Sequence, residues 1–234
     1  MKYKKSDIKF GQCVYCGKKR TITDDHIPPK NIFSRPRPDN LITVPSCHIC
    51  NNDSSLDDEY FWITMSVRQD VYNHPDISQN KDVINRAINH PNKYKFRQSL
   101  ENSIEVCNAF SNSGLYLGKK HYLNVHLERL NRVVERIIKG LYFHHTHSIL
   151  SNECITIAYI TDCFISFEGT EIWEKIKDLF EILQYEQTNI IGNNIFEYKF
   201  KIVSDDNKNS LWILKFYNKV YFAGATIKRI KNNN

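Results

Sequence analysis

Long apolar runs, glycine and proline are all scarce in this sequence. Its 234 residues include 8 glycines and 7 prolines, which argues against collagen-like and low-complexity chains. The apolar runs are only a few residues long, whereas a membrane-spanning helix needs about 20 apolar residues, so we expect no membrane span. No apolar segment follows the basic residues 1–5. We therefore expect no secretory signal and a cytoplasmic location.

The remaining composition is that of a globular chain, with 41% hydrophobic, 25% charged and 12% aromatic residues. The net charge is +6, and the excess of lysine and arginine lies in residues 1–150, while residues 151–234 are close to neutral. A basic surface is necessary for binding nucleic acid but is not specific to it.

Hydrophobic periodicity predicts an α+β fold with antiparallel strands in the C-terminal part. We predict an N-terminal domain over residues 1–70, a linking region of short helices over 71–118, and an α+β accessory domain over 119–234. Leucine, isoleucine and valine at spacings of three and four predict helices from residue 56, over 120–143 and over 171–183. Short β-rich runs predict strands at 21–23, 41–44, 154–160, 195–203, 210–217 and 219–227.

The seven cysteines include two Cys-x-x-Cys pairs, which are Cys13 with Cys16 and Cys47 with Cys50. An odd number of cysteines and no signal segment do not suit a secreted disulfide framework. Two such pairs supply the four thiolates of a closed, structural Zn(II) site. The other three cysteines, Cys107, Cys154 and Cys163, remain as thiols.

Three side chains next to the cysteine pairs suggest a second metal site. Asp25 and His26 lie between the pairs, and Asn51 directly follows Cys50. Carboxylate and amide oxygens suit Mg(II) or Mn(II), and an adjacent histidine can accept a proton from water near neutral pH. Because zinc would draw both segments together, we expect these three side chains to act jointly.

The order of these motifs resembles that of the HNH endonucleases, the ββα-metal nucleases. The resemblance rests on Cys-x-x-Cys, Asp-His-Ile-Pro, Asn-Leu and Cys-x-x-Cys-Asn, and it covers residues 11–62. It implies a zinc-stabilised, treble-clef-like ββα-metal domain of the four-cysteine type, similar to that of phage junction-resolving enzymes. It also implies a metal-dependent endonuclease that hydrolyses phosphodiester bonds in DNA, in phage defence, restriction or a mobile element.

The resemblance further implies a role for each matching residue. His26 matches the general base, Asp25 and Asn51 match the ligands of one catalytic Mg(II) or Mn(II), and Asn40 matches the middle asparagine that fixes the loop of the base. Many members have histidine where this chain has Asn51, which bears on the choice of metal. Basic residues near the motif are candidate contacts to the phosphates of double-stranded DNA, and these are Lys18, Lys19, Arg20, Lys30, Arg35 and Arg37.

A second interpretation stays open from the sequence. The same zinc frame could serve a non-catalytic module that binds nucleic acid or protein. The presence of Asp25, His26 and Asn51 favours the nuclease, because a pure binding module does not need them. For the near-neutral C-terminal domain we expect a role in binding a protein partner, in recognising a feature of the substrate, or in self-association.

Overall fold

The N-terminal part is a three-stranded antiparallel sheet followed by two helices. The computed structural model describes residues 9–150, 154–160, 171–203 and 208–228. The sheet has the order β1-β2-β3. Gly17, with φ of 67°, makes the tight turn between β1 and β2, where glycine is free of the steric cost of a side chain. The elements of this part are β1 (Lys9–Gln12), β2 (Lys19–Ile27), β3 (Ile42–Cys47), α1 (His48–Asp53) and α2 (Ser55–Ser66), with a 3₁₀ turn at Lys30–Ile32.

The middle of the chain contains two helices and a β-hairpin. Proline at the first position of α3 and the side chain of His74, which accepts a hydrogen bond from the amide of Asp76, begin that helix. The elements are α3 (Pro75–Ile88), a 3₁₀ turn at Pro91–Lys93, α4 (Tyr94–Asn102), β4 (Ile104–Phe110) and β5 (Tyr116–Leu123).

The C-terminal part is a five-stranded antiparallel sheet with two helices. The strand order is β6-β10-β9-β8-β7, so β6 and β7 form its edges. This arrangement confirms the mixed α+β class with antiparallel strands. The elements are α5 (Leu127–Thr146), β6 (Cys154–Ile160), α6 (Glu171–Leu183), β7 (Asn189–Ile191), β8 (Phe196–Ile202), β9 (Ser210–Phe216) and β10 (Val220–Lys228).

Helix α5 connects the two sheets. It contacts β2 and β3 of the N-terminal sheet and also β6 and β10 of the C-terminal sheet. Its apolar residues are buried in a hydrophobic core that contains residues of both sheets, such as Ile27 and Val44 from the first and Phe216 and Phe222 from the second. The orientation of β2, which carries Asp25 and His26, is therefore set by α5.

Two predictions of helical periodicity were wrong in detail. The helix expected from residue 120 begins at Leu127, and Leu123 belongs to β5. In α2, Leu56 is 69% exposed, whereas every residue from Tyr60 to Ser66 is buried. The second half of α2 is enclosed because α3 and α5 both pack against this helix. An amphipathic pattern with one apolar stripe therefore does not describe it.

No helix in the described residues has both the length and the apolar character that crossing a membrane requires.

The contact between α5 and β2 depends on a residue without a side chain. A Cβ atom at Gly140 would lie 2.6 Å from Cγ1 of the fully buried Ile27. The higher helix propensity of alanine in Gly140→Ala should raise the free energy of unfolding by about 1 kcal/mol. The overpacking against Ile27 should lower it by about 1–3 kcal/mol. We expect a net loss of about 1 kcal/mol in the free energy of unfolding, measured by urea denaturation.

A double substitution tests the physical cause of this loss. Ile27→Ala alone should cost about 2–5 kcal/mol because it leaves a cavity. The added Cβ at position 140 would fill part of that cavity, so the double variant should be more stable than the sum of the two single effects. Additive effects would contradict the proposed contact.

Candidate metal centre and the residues around it

Four cysteines from two separate segments meet at one point. Cys13 and Cys16 lie in the turn between β1 and β2, Cys47 ends β3, and Cys50 lies in α1. Their four Sγ atoms are within 4.8 Å of one another, and the Sγ atoms of Cys16 and Cys47 are 3.9 Å apart. A tetrahedral site with metal–sulfur bonds of about 2.3 Å has sulfur–sulfur separations of about 3.8 Å. The cysteines are therefore positioned to bind a metal ion. Of the three cysteines outside this cluster, Cys107 and Cys154 remain as thiols, and Cys163 lies outside the described residues.

The backbone around Cys13 favours the thiolate of that residue. Burial alone would raise the pKa of Cys13, but hydrogen bonds from the backbone at Cys47, Cys16 and Tyr15 lower it to about 7. Burial and the neighbouring thiols raise the pKa of Cys50. A bound cation removes the mutual repulsion of four thiolates, since it neutralises charge that the sulfur atoms otherwise share.

Asp25 is buried within an ionic cluster. It is 7% exposed, and its Oδ2 atom accepts a hydrogen bond of 2.8 Å from the hydroxyl of Tyr15. The Nε atom of Arg136, on α5, lies 3.8 Å from the same oxygen, and Nη2 of Arg136 donates to Asp58 on α2. We call these four residues, Tyr15, Asp25, Asp58 and Arg136, the arginine cluster.

The charges in the arginine cluster stabilise one another. Burial, together with the negative charge of Asp25, raises the pKa of Tyr15, so its hydroxyl stays protonated and remains a donor. Burial raises the pKa of Asp58 to about 6, in spite of Arg136. Arg136 is the only cation within hydrogen-bonding or ion-pairing distance of both carboxylates among the described residues. The cluster thus joins β2, α2 and α5.

Asn51 lies on the same side of β2 as Asp25. Its Nδ2 atom donates a hydrogen bond of 3.2 Å to Oγ1 of Thr23. Thr23 and Asp25 are two positions apart on one strand, so their side chains point to the same face of the sheet. In the described residues no hydrogen bond reaches Oδ1 of Asp25. The Asp25 carboxylate and the Asn51 amide therefore lie toward the same face of β2.

His26 lies on the opposite face of β2 from Asp25, because neighbouring residues of a strand alternate, so the structure does not bring the three predicted side chains together on one face. It is half-buried and pairs with Thr43 of β3. Burial lowers the pKa of His26, and the positive charges of Lys30 and Arg37 lower it further, while Asp25 and Asp24 act in the other direction. The imidazole is therefore neutral near pH 7 and able to accept a proton.

The six basic residues predicted to contact phosphate form two groups. Lys18 precedes β2, and Lys19 and Arg20 are its first two residues, directly after the turn that carries Cys13 and Cys16. Lys30, Arg35 and Arg37 follow β2, and Nε of Arg37 donates to the carbonyl oxygen of Lys30. The second group includes the two cations whose charge lowers the pKa of His26. Lys18, Lys19, Lys30 and Arg35 are exposed, and Arg20 and Arg37 are half-buried.

The structure places Asn40 against the C-terminal sheet. Its Nδ2 atom donates a hydrogen bond of 3.0 Å to the carbonyl oxygen of Ile190. Its Oδ1 atom accepts a hydrogen bond of 3.3 Å from the backbone amide of Gly192. These two bonds fix the loop between β2 and β3 to the end of β7. The role that the resemblance implies for Asn40, fixing the loop of the base, stays a prediction.

The sequence analysis did not identify Tyr15, Asp58 or Arg136. A signal for Arg136 was present, because it interrupts the apolar stripe of α5 between Val133, Val134 and Ile137, all of which are buried. A charged residue in such a stripe is expected to have a buried partner of opposite charge. The partners could not be named, because they come from distant segments.

Comparisons of this chain with models of protein families, with curated proteins and with solved structures found no match.

The arginine cluster should contribute more to stability than an ion pair at the surface. Arg136→Met would leave Asp25 and Asp58 buried without a cation, and we expect a loss of about 3–5 kcal/mol in the free energy of unfolding at neutral pH. Arg132→Met is the matched control, because Arg132 lies on the same helix, is 55% exposed and bonds Asp57. It should cost less than about 1 kcal/mol. Equal losses in urea denaturation would contradict this interpretation.

Proposed function

We propose that this protein is a metal-dependent HNH endonuclease that hydrolyses phosphodiester bonds in DNA. The observation that carries the proposal is the hydrogen bond between Asn51 and Thr23, which ties the helix after the last cysteine to the strand that carries Asp25 and His26. Four cysteines hold the two segments together at one end. Two strands followed by a helix, with four cysteines at one end, support the ββα-metal domain that the resemblance implies.

The four-cysteine centre is proposed to hold structural zinc. Four thiolates saturate tetrahedral Zn(II), so the site has no open position for a substrate. The short segments around it offer little apolar surface: α1 contains no buried residue. Bound zinc would supply the stability that such segments lack.

Asp25 and Asn51 are proposed to hold one Mg(II) or Mn(II) ion. A carboxylate oxygen and an amide oxygen on one face of the strand suit these ions, which keep several positions for water and phosphate oxygens. When bound, such an ion stabilises negative charge on the phosphate and on the leaving oxygen. Tyr15 and Arg136 would orient the Asp25 carboxylate through Oδ2 and leave Oδ1 for the ion.

His26 is proposed to act as the general base. Its neutral imidazole would take a proton from the water molecule that attacks phosphorus, while the bond to the leaving oxygen breaks. Lys30 and Arg37, whose charges act on His26, would bind phosphates on either side of the cleaved bond. Contacts of this kind to the DNA backbone position the substrate without reading its sequence.

One observation favours the alternative, a non-catalytic zinc module that binds nucleic acid or protein. Asp25 is buried, and Tyr15 and Arg136 contact the same one of its oxygens, as in a structural ion pair. In that case Asp25 would hold α5 against β2 and bind no ion. The two functions differ in whether DNA is cut, so a cleavage assay separates them.

Loss of one cysteine should remove the proposed zinc. Elemental analysis of the purified protein should find about one zinc per chain, and Cys47→Ser should lower both the zinc content and the melting temperature. Cys107→Ser is the control, because Cys107 is exposed on β4 and should leave both unchanged. A folded wild-type protein without metal would contradict the proposal.

Loss of His26 should separate catalysis from folding. With supercoiled plasmid and Mg(II) or Mn(II), we expect His26→Gln to nick DNA at least ~10²-fold more slowly than the wild type, since general bases typically contribute 10²–10⁴-fold. Zinc content, melting temperature and DNA affinity should stay near wild-type values. His48→Gln is the matched control, because His48 is an exposed histidine between two cysteines and should cut normally.

Two outcomes would refute the assignment. Normal nicking by a folded His26→Gln protein would exclude this residue as the base. DNA binding without any cleavage by the wild type, in either metal, would favour the non-catalytic module.

A further inference from the structure

The β4–β5 hairpin exposes an unusual amount of apolar surface. Residues paired across the two strands share a face, so Ile104, Val106, Phe110 and Tyr116 lie on one face of the hairpin, which also carries Asn108, Lys119 and His121. Their exposed fractions are 47%, 53%, 59% and 52%. Two further apolar residues near the turn, Leu115 and Leu117, are 66% and 57% exposed. A two-stranded hairpin is marginally stable by itself and usually gains stability from a third strand or a packed helix.

The hairpin has little support from the described part of this chain. Its strands pair with each other, and the main further contact is between β4 and α4 at the base of the hairpin. The outer edges of β4 and β5 therefore present backbone N–H and C=O groups that can pair with another strand. Among the described residues, these edges belong to a sheet of only two strands.

The two edges differ in a way that selects one of them for pairing. The β5 edge carries Lys119 and Lys120, and Leu117 is an extra residue that forms a bulge opposite Ala109 and Phe110. Lysines and bulges are features that prevent an edge from pairing. The β4 edge has neither, and its one charged residue, Glu105, accepts a hydrogen bond from Asn124.

Charge and side-chain size favour a second copy of β4 as the partner strand. If β5 paired antiparallel with itself about Lys119 or about Lys120, that lysine would face its own copy, and like charges opposite each other are destabilising. If β4 pairs antiparallel with itself and Cys107 lies on the two-fold axis, all seven of its residues find partners. Ile104 then faces Phe110, and Glu105 faces Ala109, so no like charges meet.

We propose that β4 pairs with β4 of a second copy of this chain, about a two-fold axis at Cys107, to form a four-stranded antiparallel sheet. The proposal does not depend on nuclease activity. The interface is isologous, because each copy offers the same edge. The four apolar residues of each hairpin then lie on one continuous face of the joined sheet.

The mass of the full chain in solution provides the first test. Light scattering at tens of micromolar should give twice the chain mass of 27.6 kDa. Cys107→Glu should give a monomer, because two carboxylates would face each other at the axis. Within its own hairpin the new carboxylate would face Lys120, which stabilises the hairpin. Leu117→Glu, the same charge on the β5 edge, is the control and should stay dimeric.

Cross-linking tests the register. Directly paired residues have Cα separations of about 4.5–5.5 Å, which a disulfide can bridge, so mild oxidation should cross-link Cys107 between copies. The protein used carries Cys154→Ser and Cys163→Ser, and dimers are detected on a non-reducing gel. The double variant Val106→Cys, Cys107→Ser moves the thiol to position 106. In the proposed register, residue 106 faces residue 108 of the other copy, so the two Cα atoms of residue 106 are about 8 Å apart. Cross-linking of that variant should fall at least tenfold.

Three results would overturn the proposal. They are a monomeric wild-type chain at these concentrations, a Cys107→Glu variant that remains dimeric, and equal cross-linking at positions 106 and 107. If the wild-type chain is monomeric and Cys107→Glu weakens binding of duplex DNA, the hairpin contacts nucleic acid and the proposed pairing is wrong. Plasmid nicking is measured separately, so a failure of the nuclease assignment leaves these readouts unaffected.

Discussion

The close approach of four sulfur atoms fixes the part of the molecule on which the rest is built. Cys13 and Cys16 lie before β2, and Cys47 and Cys50 join β3 to α1, so the residues between the pairs must fold back on themselves as a closed loop. That closure places β2 between its two neighbours and places α1 beside Thr23 and Asp25. The hydrogen bond of Asn51 with Thr23 and the inward position of Asp25 both follow from it.

The second constraint is the burial of Arg136 on α5. A cation in an apolar stripe is costly unless it has partners of opposite charge, and Asp25 and Asp58 supply them from two other elements. The same helix lacks a side chain at Gly140, which lets β2 approach closely. Arg136 and Gly140 lie one turn apart on α5, and both face β2. The ion pair at the first residue and the close packing at the second together set the orientation of the strand that carries Asp25 and His26.

This arrangement also explains how one strand serves two purposes. Because its side chains alternate, β2 directs Asp25 toward the arginine cluster and α1, and His26 toward Lys30 and Arg37. Under the proposed function, Asp25 would hold the ion and His26 would activate the water molecule, and both would have to reach the same phosphate. Asn40 bonds to the backbone near the end of β7 and thereby joins the loop after β2 to the C-terminal sheet.

Local patterns were sufficient for much of the fold. The three strands of the C-terminal meander, predicted at 195–203, 210–217 and 219–227, are confirmed within about one residue as β8, β9 and β10, and α6 is confirmed at its predicted bounds. Alternation and helical spacing are local properties, so they can be recognised without knowledge of the neighbours. The four-cysteine cluster was also predictable, because Cys-x-x-Cys brings two thiols together within each segment and a shared metal ion needs two such pairs.

The failures have a common physical cause, which is that burial depends on residues far away in sequence. Leu56 has the spacing of a core residue but is exposed, because the packing of α2 begins only at Tyr60. Leu123 continues the spacing of α5, yet its backbone pairs with β4 across a turn that no helical pattern reveals. The sequence alone determined which chemical groups the protein has and how each short segment folds. Only the tertiary structure decided that Asp25 meets Tyr15 and Arg136, because those contacts join segments that are distant in the chain.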